Sequence, residues 1–348
     1  MSKKKKVSKA EKSKLLLIIP IVVLVLILGA VVVVAIKGDG FKKKSSKTSP
    51  YTEDQMVTEK WQEGIINYKG KYYKYNNRID TYLLMGVDRA GVVEQVDDYT
   101  DGGQTDAIFL LVVDKANEEF SVISVNRNTI TDVEEYNSEG IYVGTYPVQI
   151  CTQHLYGDGK RLSCRRTANA ISNMFDNLPI EGYLSLQVDA LPILNDAIGG
   201  VEVEVLHDIK YPVAGVDLTE GETVNLNGSE AYYYLRGRDV TEAYSADYRL
   251  KRQEQYINAY LAKVNKLPDK RNTLKGLYED LEDYIVSNID FVEMLSSFSE
   301  YGLTKDHIYT VPGETTIGEE YEEFHIDEDG LYDLIIDVFY NEVEAPEE

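Results

Sequence analysis

The chain has 348 residues, 43% of them hydrophobic, enough to bury a sizeable core in one large domain or two ordinary ones and to exclude a disordered protein. Its formal charge of −23 is unevenly spread. Residues 1–47 carry twelve lysines against Glu11 and Asp39, a net of +10, so the rest of the chain holds about −33, an acidic body that would repel nucleic acid.

From the N-terminus, the uncharged run Leu15 to Ile36 spans roughly 33 Å as a helix, enough for a bilayer core of roughly 30 Å. A cleaved signal peptide would have a shorter apolar stretch. Seven lysines precede the run and five follow it closely, which favours a cytoplasmic N-terminus by a modest margin. The expected organisation is a cytoplasmic Lys-rich tail (1–14), a transmembrane helix (15–36) and a polar stalk (37–64). A β-hairpin entry (65–78) and an extracytoplasmic domain (79–345) follow.

Three apolar strands come in quick order, Tyr82 to Val87, Ile108 to Val113 and Phe120 to Val125. The first two are the near-continuous kind buried on both faces of a sheet. Cys151 and Cys164, 13 apart, could be joined by a disulfide outside the membrane, worth on the order of 3 kcal/mol. The histidines (His154, His207, His307, His325) are scattered and no C-x-x-C pair exists, which disfavours zinc. Tyr183 to Val188 alternates as a strand. Asp189 can cap a helix that has Pro192 in its first turn and ends at Gly199 and Gly200, and Val201 to Val205 returns as a strand. Tyr232 to Arg238 reads as a strand and Asp247 to Val264 as a helix. Two helices after Arg271, a strand near Ile308 to Val311 and a helix from about Asp327 to Tyr340 complete the chain. Apolar strands that end in polar residues and are interspersed with helices point to an α/β fold.

Strand ends are where an α/β sheet places its chemistry. Arg236 and Arg238, two apart on the expected strand, would share a face. Arg249, Arg252, Gln253 and Tyr256 share one helical stripe, roughly opposite the apolar one. Such a stripe can be a solvated face of surface ion pairs. It can also be half of an anion site, because converging guanidinium groups repel unless an anion sits between them and their planar forks match phosphate oxygens. Asp88 and Asp106, at strand ends, could hold Mg²⁺ or could cap loops. Arg127 closes the third strand and adds a fifth arginine.

The ordered set YLLMGVDR, QTDAIFLLVVD, SVISVNRNT, YGDG, DAIGGVEVEV, LNGSEAYYYLRGRD and RLKRQ resembles the LytR-CpsA-Psr catalytic domain over roughly Ile79 to Leu261. The resemblance implies a three-layer α/β/α sandwich around a central mixed β-sheet. It also implies transfer of a polyprenyl-pyrophosphate-linked glycopolymer (teichoic acid, capsule or similar) to peptidoglycan, releasing polyprenyl phosphate at the outer face of the cell membrane. By position, Asp88 and Asp106 would bind Mg²⁺ or Mn²⁺. Arg127, Arg236, Arg238, Arg249 and Arg252 would grip the pyrophosphate, and Arg89 and Gln253 would contact the substrate. Apart from the resemblance, phosphoryl transfer to a hydroxyl calls for a proton acceptor, and Asp88 is a carboxylate that could serve. The chain departs from the family at Gly103-Gln104-Thr105-Asp106, where Gly-Arg-Ser-Asp is usual, and at Asn126-Arg127-Asn128, where Pro-Arg-Asp is usual. Asp247 lies two residues before Arg249 rather than the usual three, and no role is assigned to it. These departures keep open a polyprenyl-phosphate-binding protein or a pyrophosphatase of the same fold. A transcriptional regulator is disfavoured by the acidic body.

Overall fold

The computed structural model describes residues 64–346 apart from 118, 238–243, 265, 290–307 and 319–320. The expected membrane span and cytoplasmic tail, nearly all of the stalk, the second helix after Arg271 and Arg238 lie outside these residues. Among the described residues no helix is long and apolar enough to cross a membrane.

The entry hairpin is present as β1 (Ile65–Tyr68) and β2 (Lys71–Tyr75). Lys69 and Gly70 both take positive φ, the tight turn whose twist suits paired strands. Next come β3 (Ile79–Val87), β4 (Thr105–Asp114) and β5 (Glu119–Val125), each longer than or equal to the expected run. A ribbon of β6 (Ile130–Tyr136) and β7 (Tyr142–Gln149) leads to helix α1 (Arg161–Met174) and strand β8 (Gly182–Gln187). Helix α2 (Ala190–Ala197) follows, and Gly199 and Gly200 end it with positive φ. Short antiparallel pairs come next: β9 (Val201–Glu204), β10 (Ile209–Tyr211), β11 (Val216–Leu218) and β12 (Thr223–Leu226). Helices α3 (Gly228–Arg236), α4 (Ser245–Val264) and α5 (Lys270–Leu281) precede β13 (Ile285–Ser287). The chain closes with β14 (Ile308–Thr310), β15 (Gly313–Ile317), β16 (Glu322–Ile326), α6 (Glu328–Phe339) and β17 (Tyr340–Val343), which pairs with β2.

The central sheet has the order β13-β8-β3-β4-β5-β14 and is mixed. Strand β4 runs antiparallel to β3 and β5, whereas β8 is parallel to β3 and β14 to β5. Alternation along β4 divides the core cleanly, because successive side chains point to opposite faces. Phe109, Leu111 and Val113 join a cluster with residues of α2, α3, α4 and α5. Ile108, Leu110 and Val112 join a second cluster with α1 and α6. Helices therefore cover both faces of the sheet, and each fully buried side chain contributes about 1.5–3 kcal/mol.

Four expectations need correction. Tyr232 to Arg236 is helical rather than a strand. The side chain of Asn227 accepts from Glu230 N at 3.0 Å, and Glu230 Oε2 accepts from Asn227 N at 2.8 Å, a reciprocal cap that starts α3. Ala231, Tyr234 and Leu235 then fall on the buried side, so helical packing overrides the strand preference of three consecutive tyrosines. Arg236 accordingly ends a helix, and the expected strand face shared with Arg238 falls on a residue outside those described. The stripe of Arg249, Arg252 and Tyr256 faces inward, all three at most 5% exposed, so it is no solvated surface. Cys151 and Cys164 are both buried with free thiols, Cys164 Sγ lying 3.4 Å from Ser185 Oγ. Asp189 stands at the N-cap of α2, but its carboxylate accepts from Gly91 N at 2.7 Å instead of capping. Leu110 touches no part of the strand-end chemistry, and Leu110→Ala is expected to lower the unfolding free energy by about 2–5 kcal/mol, read as a shift of the denaturant midpoint.

Candidate functional site

One edge of the sheet gathers the ends of β3, β5 and β8 and the start of β4. Val87 pairs with Thr105 and with Gln187, and Ile108 with Val125. Asp88 follows β3 directly. Its N–H donates to Gln104 O at 3.0 Å, and its Oδ1 accepts from Gln104 N at 2.7 Å, so the carboxylate is locked against the start of β4. Burial pushes the Asp88 carboxyl above its ordinary range, and Asp106 adds to that, while Arg127 and Arg236 pull the other way.

Asp106 is the hub. Its Oδ1 lies 2.8 Å from Arg127 Nε, and its Oδ2 accepts from Arg249 Nη1 at 2.9 Å. Both guanidinium groups are nearly buried, at 9% and 6% side-chain exposure, against 21% for the carboxylate. Arg127 Nε is close to its counter-charge without a hydrogen bond to it. The rest of its guanidinium is held by amide oxygens: Gln104 Oε1 accepts from Nη2 at 2.5 Å and Asn128 Oδ1 from Nη1 at 3.1 Å.

The other expected residues divide. Arg236, at the exposed end of α3, donates to Tyr232 Oη at 2.7 Å and stands at the mouth of an apolar cavity. Gln253 lies beside Arg249 and donates to Leu235 O at 3.1 Å. Arg252 is 3% exposed, and its Nε donates to Tyr234 O at 2.7 Å. Arg89 donates to the backbone carbonyl of Glu94 at 3.3 Å, away from the cluster. The structure thus brings Asp88, Asp106, Arg127, Arg236, Arg249 and Gln253 to one place, and leaves Arg89 and Arg252 facing elsewhere.

Counting its mouth, which is open to solvent, the cavity spans about 890 Å³. Leu84, Phe109, Leu186, Leu191, Leu194 and Tyr260 are among its walls, and Asp88, Asp106, Arg236 and Gln253 are also part of its lining. A smaller crevice, lined by Arg127, Arg249 and Asn126, meets it at Asp106 and Gln253. An apolar chamber that adjoins a cluster of cations and carboxylates can accept a molecule with a hydrocarbon tail and an anionic head.

Some contributors had no signal in the sequence. Glu322, on β16, accepts from Ser245 N at 3.1 Å and from Asn128 Nδ2 at 3.4 Å, tying the start of α4 to the end of β5 across the chain. Asp247 lies 3.5 Å from Asn126 Nδ2, and its carboxyl is pushed up by burial and then by Glu322. His154 is fully buried and held neutral, its pKa pushed down by burial to about 4; Nδ1 lies 2.9 Å from Gly102 O and 3.1 Å from Gly103 O. It fixes the turn that presents Gln104. Gly103 has φ +82°, and a Cβ there would meet Arg89 Cγ at 2.4 Å, so only glycine fits. Gln187, buried in the cavity wall, has an unpartnered Oε1.

Two carboxylates suit a divalent cation of one chemical type. Among the described residues no group of three or more His, Cys, Asp or Glu could hold a metal. Mg²⁺ and Mn²⁺ take few carboxylates and share their shell with water and phosphate. Each oxygen of Asp106 bound to an arginine keeps a second lone pair. A cation beside Asp88 would also relieve the repulsion Asp106 exerts on it.

The model of the LytR_cpsA_psr family matches residues 34–334. Polyisoprenyl-teichoic acid–peptidoglycan teichoic acid transferase TagU of Enterococcus faecalis is 26% identical over 275 residues, 78% of this chain and 80% of that protein. TagU of Halalkalibacterium halodurans is 28% identical over 173 residues, about half of each chain. Among solved structures, B. subtilis TagV aligns with a TM-score of 0.55 at 22% identity, covering 75% of this chain and 96% of that one. TagT bound to LIIa-WTA aligns at 0.54 and 18% identity, covering 76% and 90%. At these identities the solved structures speak for the fold.

Asp106→Asn would leave two nearly buried guanidinium groups side by side without their counter-charge. It is expected to cost about 3–5 kcal/mol of stability. Added inorganic pyrophosphate should recover part of the loss in thermal denaturation, and no recovery would mean that the freed arginines do not bind an anion.

Proposed function

The chain belongs to the LytR-CpsA-Psr family, and on that footing we propose that it transfers a glycopolymer from a polyprenyl-pyrophosphate carrier onto peptidoglycan. Teichoic acid is the polymer in the names of the relatives, and it is the first candidate here. The enzyme would be held by residues 15–36 at the outer face of the cell membrane, where carrier lipid and wall meet. One observation supports this reading above the rest. The arginine and carboxylate cluster adjoins an apolar cavity, so headgroup and tail of one lipid find complementary surroundings.

In this scheme the polyprenyl chain occupies the cavity between β3, β4, β8 and α4. Arg127, Arg249 and Arg236 hold the pyrophosphate oxygens, with Gln253 beside them, and the charge that grows on the leaving phosphate is stabilised by donors already in place. Asp88 and Asp106 would hold Mg²⁺ or Mn²⁺, which supplies further charge neutralisation on the pyrophosphate. A muramic-acid hydroxyl attacks the phosphorus nearer the polymer. The bond to the bridging oxygen breaks, and polyprenyl phosphate leaves. Asp88, whose proton affinity is raised by burial, takes the hydroxyl proton.

The deciding experiment incubates the full-length protein in detergent with a lipid-linked donor and peptidoglycan, and identifies the products by mass spectrometry. Polymer joined to peptidoglycan with polyprenyl phosphate released is the expected result. Polymer phosphate formed by attack of water would make the protein a pyrophosphatase, and bound lipid without turnover a carrier-binding protein. Arg249→Ala should reduce transfer by about 100-fold or more, in line with loss of one oxyanion donor. Chelation should abolish transfer, with Mg²⁺ or Mn²⁺ restoring it, and undiminished turnover in chelator would remove the metal from the scheme.

A further inference from the structure

Among the described arginines expected at the site Arg252 is the least exposed, and it lines neither the cavity nor the crevice, although Gln253 beside it lines both. Its guanidinium is engaged elsewhere. Nε donates to Tyr234 O at 2.7 Å, and Nη2 donates to Gly237 O. Gln253 Nε2 donates to Leu235 O at 3.1 Å, and Gly237 N closes back on Tyr233 O at 2.7 Å. These carbonyls belong to the last turn of α3 and the residue after it, the turn that carries Arg236 at the cavity mouth.

The last carbonyls of a helix have no partner within it, and together they present about half a negative charge. In α3 that end points to where an anion is to be held, so left open it would repel the ligand and fray under Arg236. A guanidinium placed on the carbonyls removes both problems. Burial lowers the pKa of Arg252 to about 10, which leaves it charged at neutral pH. Two consecutive residues of α4, Arg252 and Gln253, therefore close the end of α3, while Arg249 one turn earlier reaches Asp106.

We propose that Arg252 is a positioning residue, which caps the C-terminal turn of α3 through the Tyr234 and Gly237 carbonyls and so fixes Arg236 without touching the pyrophosphate itself. The identity of the anion rests on the phosphotransferase reading; the capping does not.

The test uses the full chain in detergent, farnesyl pyrophosphate as probe, and the variants Arg252→Gln, Arg252→Lys, Arg236→Ala and the double variant Arg236→Ala/Arg252→Gln. Arg252→Gln should lower the thermal midpoint of the unliganded protein and speed hydrogen exchange at the amides of Tyr234 to Gly237. It should weaken probe binding about as much as Arg236→Ala does, and add nothing once Arg236 is gone, because a residue acting through another is not additive with it. Arg252→Lys, which keeps the charge and a donor, should restore much of both, and it serves as the probe if the glutamine variant does not fold. An unchanged midpoint, or a loss of affinity of about tenfold or more that persists in the Arg236→Ala background, overturns the proposal in favour of direct grip. Absence of probe binding by the unaltered protein would count against the phosphotransferase reading instead, and the midpoint and exchange comparison would still decide the capping.

Discussion

Everything at the strand-end edge depends on the carboxylate of Asp106, shared between Arg127 and Arg249. Each guanidinium would be costly to bury alone, and two together would repel; one carboxylate with an oxygen turned to each offsets both terms. The pairing also joins β4, β5 and α4, segments that lie 21 to 143 residues apart in the chain. What remains in that trio is one unit of positive charge in excess, in an acidic body, beside an apolar chamber. That is the condition under which an anion gains most from the site, because low local polarity strengthens each charge-assisted hydrogen bond.

The cavity arises from the same strands that carry the charges. Along β3 and β4 the residues facing α2, α3 and α4 are apolar through Leu84 and Phe109, and they turn polar only at Asp88 and Asp106. A ligand lying along these strands passes from hydrocarbon walls to arginines within a few residues. Tail and head recognition are thus coupled through backbone geometry alone.

The departures from the family pattern fit together physically. An arginine is exchanged for Gln104 and an aspartate for Asn128, so one positive and one negative charge are lost together and the net charge of the cluster is unchanged. Both amide oxygens accept from Arg127, which keeps its guanidinium oriented without ionic partners at those positions. Glu322 supplies a carboxylate to the Asn128 side chain from a distant hairpin, and it also accepts the first amide of α4. Arg127 therefore has an oriented partner at both of the departing positions.

The sequence by itself determined the central strands, the apolar helix faces, the hairpin at Lys69 and Gly70, and the placing of Asp88, Asp106 and Arg127 at strand ends. Periodicity and turn chemistry are local, and each is written in a handful of neighbouring residues. Only the tertiary structure decided that Tyr232 to Arg236 is helical, since burial of Ala231, Tyr234 and Leu235 and the Asn227 cap outweigh strand preference. It alone turned Arg249 and Arg252 inward and gave them different tasks. A stripe of arginines reads the same whether its guanidinium groups meet water, a carboxylate or a helix end, because the partners, Asp106 for one and the carbonyls of Tyr234 and Gly237 for the other, are brought there by packing across the sheet and between helices.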